Sequence, residues 1–213
     1  AWVYDNAWVS GSAEVFGSAW VSGSAEVYDN AKVYGNAKVS GNAKISGSAE
    51  VSGNAKVSGN AKVSGSAEVF GSAWVYDNAW VSGSAEVFGS AWVSGNAEVY
   101  DNAKVPGSAE VFGSAWVSGS AEVYDNAKVP GSAEVFGDAK VSKLVYTSNY
   151  KYRLTLTDNH IKYGCFQKTI KEWKEWLEGT EEFETKRNDP SFKIIKMSLE
   201  LAIQQSELVQ ALD

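Results

Sequence analysis

From Ala1 to Ser142 the chain is one six-residue phrase, A-(W/E/K)-V-x-(G/D)-(N/S), repeated without insertion. It opens as Ala1-Trp2-Val3-Tyr4-Asp5-Asn6 and still reads at Ala133-Glu134-Val135-Phe136-Gly137-Asp138, before breaking at Lys143. A period this short admits few folds, because each unit is too small to bury an apolar face alone and must stack on its neighbours. Ala and Val lie two apart, so on an extended backbone they point to the same side. The residue between them and the residue after Val point to the other side. Gly or Asp followed by Asn or Ser supplies a corner, since these residues accept left-handed backbone or hydrogen-bond it locally. Each phrase is therefore one short strand and one turn. The near-uniform Val and Ala predict a narrow interior, and the exchange of Trp, Glu and Lys at one position predicts that it faces outward.

An aliphatic residue followed four positions later by a small one, as in Val33…Ala37 and Val39…Ala43, resembles the phrase of the hexapeptide-repeat family. The resemblance covers about two-thirds of the chain. It implies a left-handed parallel β-helix in which three phrases make one triangular coil. The expected fold class is mainly β. About eight such coils span residues 1–142, followed over 143–213 by a small C-terminal α+β cap of a short β meander and two helices. At a strand spacing of about 4.8 Å the prism is roughly 38 Å long.

Charge narrows the function classes. The repeats carry 8 Lys against 9 Glu and 6 Asp, while the tail is balanced, so the net charge of −7 belongs to the repeats. A general nucleic-acid coat is not expected, because phosphate binding needs a dominant basic surface. One Cys, Cys165, excludes an intramolecular disulfide and a cysteine metal cluster. No apolar run reaches membrane length and no secretory signal is visible, which points to a cytoplasmic or virion-associated setting. No cofactor and no metal is expected. The chain begins at Ala1 in mid-rhythm, which leaves room for an upstream segment.

With three phrases per coil, the outward residues sort into columns. One face reads Trp2, Trp20, Lys38, Lys56, Trp74, Trp92, Glu110, Lys128. The next reads Trp8, Glu26, Lys44, Lys62, Trp80, Glu98, Trp116, Glu134. The third has no Trp at that position, but its second outward column holds Phe16, Tyr34, Phe70, Phe88 and Tyr124. Seven outward Trp form a large apolar surface, and such surfaces mark interfaces anchored by Trp and Tyr. They are candidate contacts to a second copy or to a ligand such as a glycan. The alternative is that the rings only clamp successive coils together. Lys32, Lys38, Lys44, Lys56 and Lys62 form a basic waist, either a cradle for a small anion such as a nucleotide, with Lys38, Lys44, Lys56 and Lys62 as its candidate contacts, or a solvated band paired with neighbouring Glu. The Tyr-Asp-Asn corners at Asp5, Asp29, Asp77, Asp101 and Asp125 are oxygen-rich enough to suggest Ca²⁺, but plain turn chemistry accounts for them. Residues 1–30 and 73–102 differ only at Ser24 and Asn96, and 103–114 is echoed at 127–138. Such copying suits a solenoid growing by duplication.

In the tail, Tyr152-Arg153-Leu154-Thr155-Leu156-Thr157 alternates as a strand, Asp158-Asn159 is a turn, and His160-Ile161-Lys162-Tyr163 returns beside it. Leu144-Val145-Tyr146 is a further candidate strand. Thr169-Ile170-Lys171-Glu172 is a capping box opening a helix with Ile170, Trp173 and Leu177 on one side. Asp189-Pro190 starts a second helix with an apolar stripe of Phe192, Ile195, Leu199 and Ile203, flanked by Ile194, Leu201 and Leu208. The segment Leu154–Cys165 with Thr169–Trp173 resembles the tail of phage and prophage hexapeptide-repeat proteins described as putative transferases, although Phe166-Gln167-Lys168 lacks the His often found there. Acyltransferases of that family are trimers. They use a His on the prism at a cleft between subunits, where an acyl donor such as acyl-CoA binds. Here the only His is His160, in the tail, as either a general base or a structural residue. The expectation is a non-enzymatic, homo-oligomeric β-solenoid presenting its columns to a partner. The alternatives are an acyltransferase using His160 and an anion binder at the lysine waist.

Overall fold

The second and third residues of every phrase form a strand, from β1 (Trp2–Val3) to β24 (Lys140–Val141), and each strand is followed by a turn. In the computed structural model, which describes residues 1–143, 145–149, 153–182 and 185–211, these strands form three parallel sheets of eight strands each. Register pairs Trp2 with Trp20, Lys44 with Lys62 and Glu14 with Lys32, so three phrases make one coil and eight coils stack. The expected parallel solenoid is the observed one. Ala and Val from Ala19 to Val129 have no solvent exposure, with Ile45 the one substitution for Val. Backbone N–H groups donate from coil to coil, as from Trp2 to the Ala19 carbonyl at 2.8 Å and from Ser12 to that of Asp29 at 2.7 Å. Each coil thus satisfies the backbone of the next while sealing its Val and Ala layer from water.

The corners explain why the fifth residue is Gly or Asp. Every one has φ between +57° and +77°. A Cβ at Gly89 would lie 2.7 Å from the Gly107 carbonyl oxygen one coil on. Asp is accepted because its carboxylate repairs part of the cost. Asp5, Asp29, Asp77 and Asp101 each accept the amide N–H of the glycine one coil on, at 3.1–3.3 Å. Those carboxylates are engaged by the turn, and no cluster able to hold a metal ion occurs among the described residues. Gly89→Ala is expected to cost about 2 kcal/mol or more, from left-handed strain plus the contact with the next coil. Gly89→Asp should cost less than half as much, and urea denaturation of the two variants measures the difference.

The last coil is closed by the tail on all three sheets. On the first, the Lys128 N–H donates to the Lys143 carbonyl at 2.8 Å and Val145 N–H donates to the Lys128 carbonyl at 2.9 Å. Val145 thereby becomes the final residue of the buried Val column, two positions ahead of the repeat period. On the second, Glu134 holds Arg153 at 2.7 Å and also Lys162, and Gln167 donates to the Phe136 carbonyl at 2.9 Å. On the third, the Asp158-Asn159 turn takes the strand's backbone groups. Lys140 N–H donates to Asn159 Oδ1 at 2.8 Å, Ser142 N–H to Asp158 Oδ2 at 2.7 Å, and Asp158 N–H to the Lys140 carbonyl. Burial beside Asp158 raises the Tyr124 hydroxyl above its usual pKa. An edge that would otherwise recruit another chain is covered.

The tail has its own buried cluster. Its meander has four strands, β25 (Tyr146–Asn149), β26 (Arg153–Leu156), β27 (His160–Tyr163) and β28 (Phe166–Thr169), where the pattern suggested three. Of the expected strand residues, Leu144 and Tyr152 lie outside the described ones. Helix α1 (Ile170–Glu178) starts at the predicted box, with Thr169 Oγ1 accepting the Glu172 N–H. Hydrogen bonds from Thr169 hold the Glu172 carboxyl below its usual range. Trp176 joins Trp173 in the core, beyond the three residues expected of this helix, and Trp173 Nε1 donates to the Ile161 carbonyl. Arg187 closes the far end of α1, donating to the carbonyls of Trp176 and Leu177 while its guanidinium lies 4.8 Å over the Trp176 ring. Helix α2 (Phe192–Ala211) buries the predicted stripe, whereas the flanking Ile194, Leu201 and Leu208 are exposed. No helix among the described residues is long and apolar enough to cross a membrane.

Candidate functional site

The seven outward Trp are exposed by 38–67 %. Their surroundings divide them into two kinds. On the first face, Trp74 and Trp92 stack with ring centroids 5.7 Å apart and planes 12° from parallel, and Tyr76 meets both edge-on. Trp20 receives Tyr4 edge-on. Lys38 and Lys56 are neighbours in the same ladder, yet their ammonium groups diverge. Lys38 lies over Trp20 at 5.3 Å and Lys56 over Trp74 at 4.1 Å. Like charges one coil apart are thus separated by turning each onto a ring, where the indole quadrupole attracts it. The ring faces of Trp20 and Trp74 are used within the column, and what this face offers outward is indole edges and Lys stems. Trp2, at the first coil, is the most exposed of the set.

The second face is different. Trp8 neighbours Glu26, Trp80 lies between Lys62 and Glu98, and Trp116 lies between Glu98 and Glu134. Among the described residues, none of the three has an aromatic or cationic neighbour over its ring. Trp80 Nε1 donates to Ser64 Oγ at 3.1 Å. Two depressions open here, one of about 240 Å³ between Trp8, Ser10, Glu26 and Tyr28, and one of about 380 Å³ around Trp116 and Ser118.

The lysine waist is not convergent. Lys44 pairs with Glu26 at 3.1 Å and Lys32 with Glu50 at 3.6 Å. Lys38 and Lys56 sit on indoles, and only Lys62 of the five has neither a carboxylate nor a ring partner among the described residues. An anion cradle requires several ammonium groups aimed at one point, and here they point apart. An asparagine ladder, Asn42 to Asn60 to Asn78 to Asn96 at 2.9–3.1 Å, runs along the corner between the first and second faces and ties consecutive coils.

His160 opens β27 at the joint between prism and tail. It is 8 % exposed. Its Nε2 lies 3.4 Å from Asp138 Oδ1 on the last coil, and its backbone N–H donates to Thr157 Oγ1 at 3.1 Å. The ring therefore stands between two parts of the same chain, away from the outward columns. Cys165 is exposed in the turn after Gly164, between β27 and β28.

No family model matches the chain, and no curated protein matches it in sequence. The fold is a parallel β-solenoid of eight coils ended by an α+β tail, and its candidate contact surfaces are the Trp-bearing first and second faces.

Proposed function

We propose that this chain is a non-enzymatic β-solenoid of the hexapeptide-repeat kind, of phage or prophage origin and cytoplasmic or virion-associated. It serves as a rigid rod that self-associates and presents its aromatic and charged columns to a partner. The observation that carries this reading is the persistence of the seven Trp at 38–67 % exposure after every coil has stacked. Stacking within the column accounts for the ring faces of Trp74 and Trp92, but the indole edges still meet water. Surface of that size and aromatic content is covered in proteins that assemble. A trimer is the state that the family resemblance implies. The position of His160, at a joint with Asp138 and not on the prism, favours a structural role over general-base chemistry.

Size exclusion with light scattering on the whole chain tests the reading. The expected mass is a multiple of 22.9 kDa. Trp74→Ser with Trp92→Ser is expected to shift the population to the monomer with unchanged circular dichroism. A parent chain that is strictly monomeric at high concentration overturns it.

A further inference from the structure

Column order on the first face decides how a second copy can lie against it. The column reads Trp2, Trp20, Lys38, Lys56, Trp74, Trp92, Glu110, Lys128, one residue per coil. Two flat sheets pack with their strands aligned. Parallel rods in register would bring Lys38 and Lys56 level with the same two lysines of the second copy, where like charges repel. Antiparallel rods reverse the column about a two-fold axis that runs along the strands. An axis at Lys56 sets that lysine against itself, and one midway between Lys38 and Lys56 sets the two against each other. An axis midway between Lys56 and Trp74 leaves the two copies of Lys56 one coil step apart, and one midway between Trp74 and Trp92 sets Lys38 against Lys128. An axis at Trp74 has none of these conflicts. It pairs Lys38 with Glu110, Lys56 with Trp92, Trp20 with Lys128 and Trp74 with itself.

The rings at that axis are held in place by one another and still meet water. Trp74 stacks on Trp92 at 5.7 Å, Tyr76 lies edge-on to both, and the two indoles remain 38 % and 45 % exposed. Aromatic anchors at the centre of a contact, with charge at its rim, are the arrangement that carries binding energy. The charge comes from two coils to either side. Lys38 lies over Trp20 and has no carboxylate partner among the described residues. Glu110 has one partner, Lys128 at 3.2 Å, in a pair exposed enough for its carboxylate to take a second cation. The second face offers no equal length, since Arg153, Lys162 and Gln167 of the tail reach onto its last coil. Seven overlapping coils of about 4.8 Å, each about four extended residues of 3.3 Å wide, make a strip of roughly 34 Å by 13 Å on each copy. That is the small end of specific interfaces, which suits a reversible pair.

We propose that the first face is the surface on which a second copy docks, antiparallel and two-fold, with Trp74 on the axis and Lys38 paired to the second copy's Glu110 at both ends. This rests on the assembly reading and gives it a wall, a direction and a register. A closed pair follows, where the family resemblance implies a trimer, because the contact uses the same patch on both copies.

Sedimentation equilibrium of the full chain tests it. The parent is expected as a reversible species of twice 22.9 kDa. Lys38→Glu sets carboxylate against carboxylate at both ends of the pair, and Glu110→Lys sets ammonium against ammonium. Each should weaken association by at least about tenfold with unchanged circular dichroism. Mixing the two variants one to one puts each introduced charge opposite an unlike one. The mixture should therefore associate at least about tenfold more tightly than either variant alone. A trimeric parent, single variants that associate like the parent, or a mixture that gains nothing each overturn the antiparallel pair and leave self-association standing. A parent that stays monomeric at high concentration overturns both.

Discussion

Val75→Asp is expected to destabilise the solenoid by more than about 4 kcal/mol and to split its unfolding into two steps. Val75 has no exposure and stacks between Val57 and Val93, in a channel lined by Val, Ala and the single Ile45. A carboxylate there has no partner and no water, so it must either take up a proton or open the coil. Because each coil touches only its two neighbours, a broken central coil uncouples the four coils before it from those after it. Urea unfolding followed by circular dichroism and by Trp fluorescence should show two transitions in the variant and one in the parent. A single transition at the parent midpoint would contradict the nearest-neighbour account of stability.

The second large effect is expected at the joint. Glu134 is the one carboxylate shared by Arg153 and Lys162, and its side chain is only about a quarter exposed. Glu134→Lys replaces two attractions with two repulsions and should loosen the tail by about 3 kcal/mol, the range for losing a partner of a largely buried pair. Burial lowers the Lys162 ammonium from its ordinary value of 10.5. In the variant the protonated form is therefore the costly one, and tail docking should recover as pH rises through that lowered value. The visible results are rapid tryptic release of the tail and end-to-end association of rods whose last coil is uncovered. Limited proteolysis and light scattering read both, and combining Glu134→Lys with Lys162→Glu should restore part of the protection. Unchanged tail cleavage would mean that the Asp158-Asn159 bonds and the Val145 contact hold the tail without Glu134.

Most of the prism was legible in the six-residue phrase, because its meaning depends only on backbone periodicity and on which side chains fit a narrow channel. Every outward column followed from that. What did not follow was the direction of the rings within a column. Sequence places Lys38 beside Trp20 and Lys56 beside Lys38, but only the coordinates show the two ammonium groups turned apart onto indoles. The tail was legible where its signals were local, as in the Thr169–Glu172 box and the Phe192 stripe. It was not where partners are distant. Strand β28 has no alternating pattern and exists because β27 offers it an edge. Asp158-Asn159 reads as an ordinary turn, and its role as the stopper of the third sheet comes from Lys140 and Ser142.

The register of the two-residue strands also governs how such a chain can change length. Insertion or loss of one whole coil slides everything downstream along the axis and returns each side chain to its former wall. A slip of a single phrase instead turns all later residues by a third of a revolution. The tail, whose three fastenings are each specific to one wall, would then face the wrong anchor points. Recombination between these near-identical units therefore lengthens the rod without turning its walls only in steps of three phrases, whereas any other step, such as the four-phrase offset between 103–114 and 127–138, carries the copied residues to a different wall.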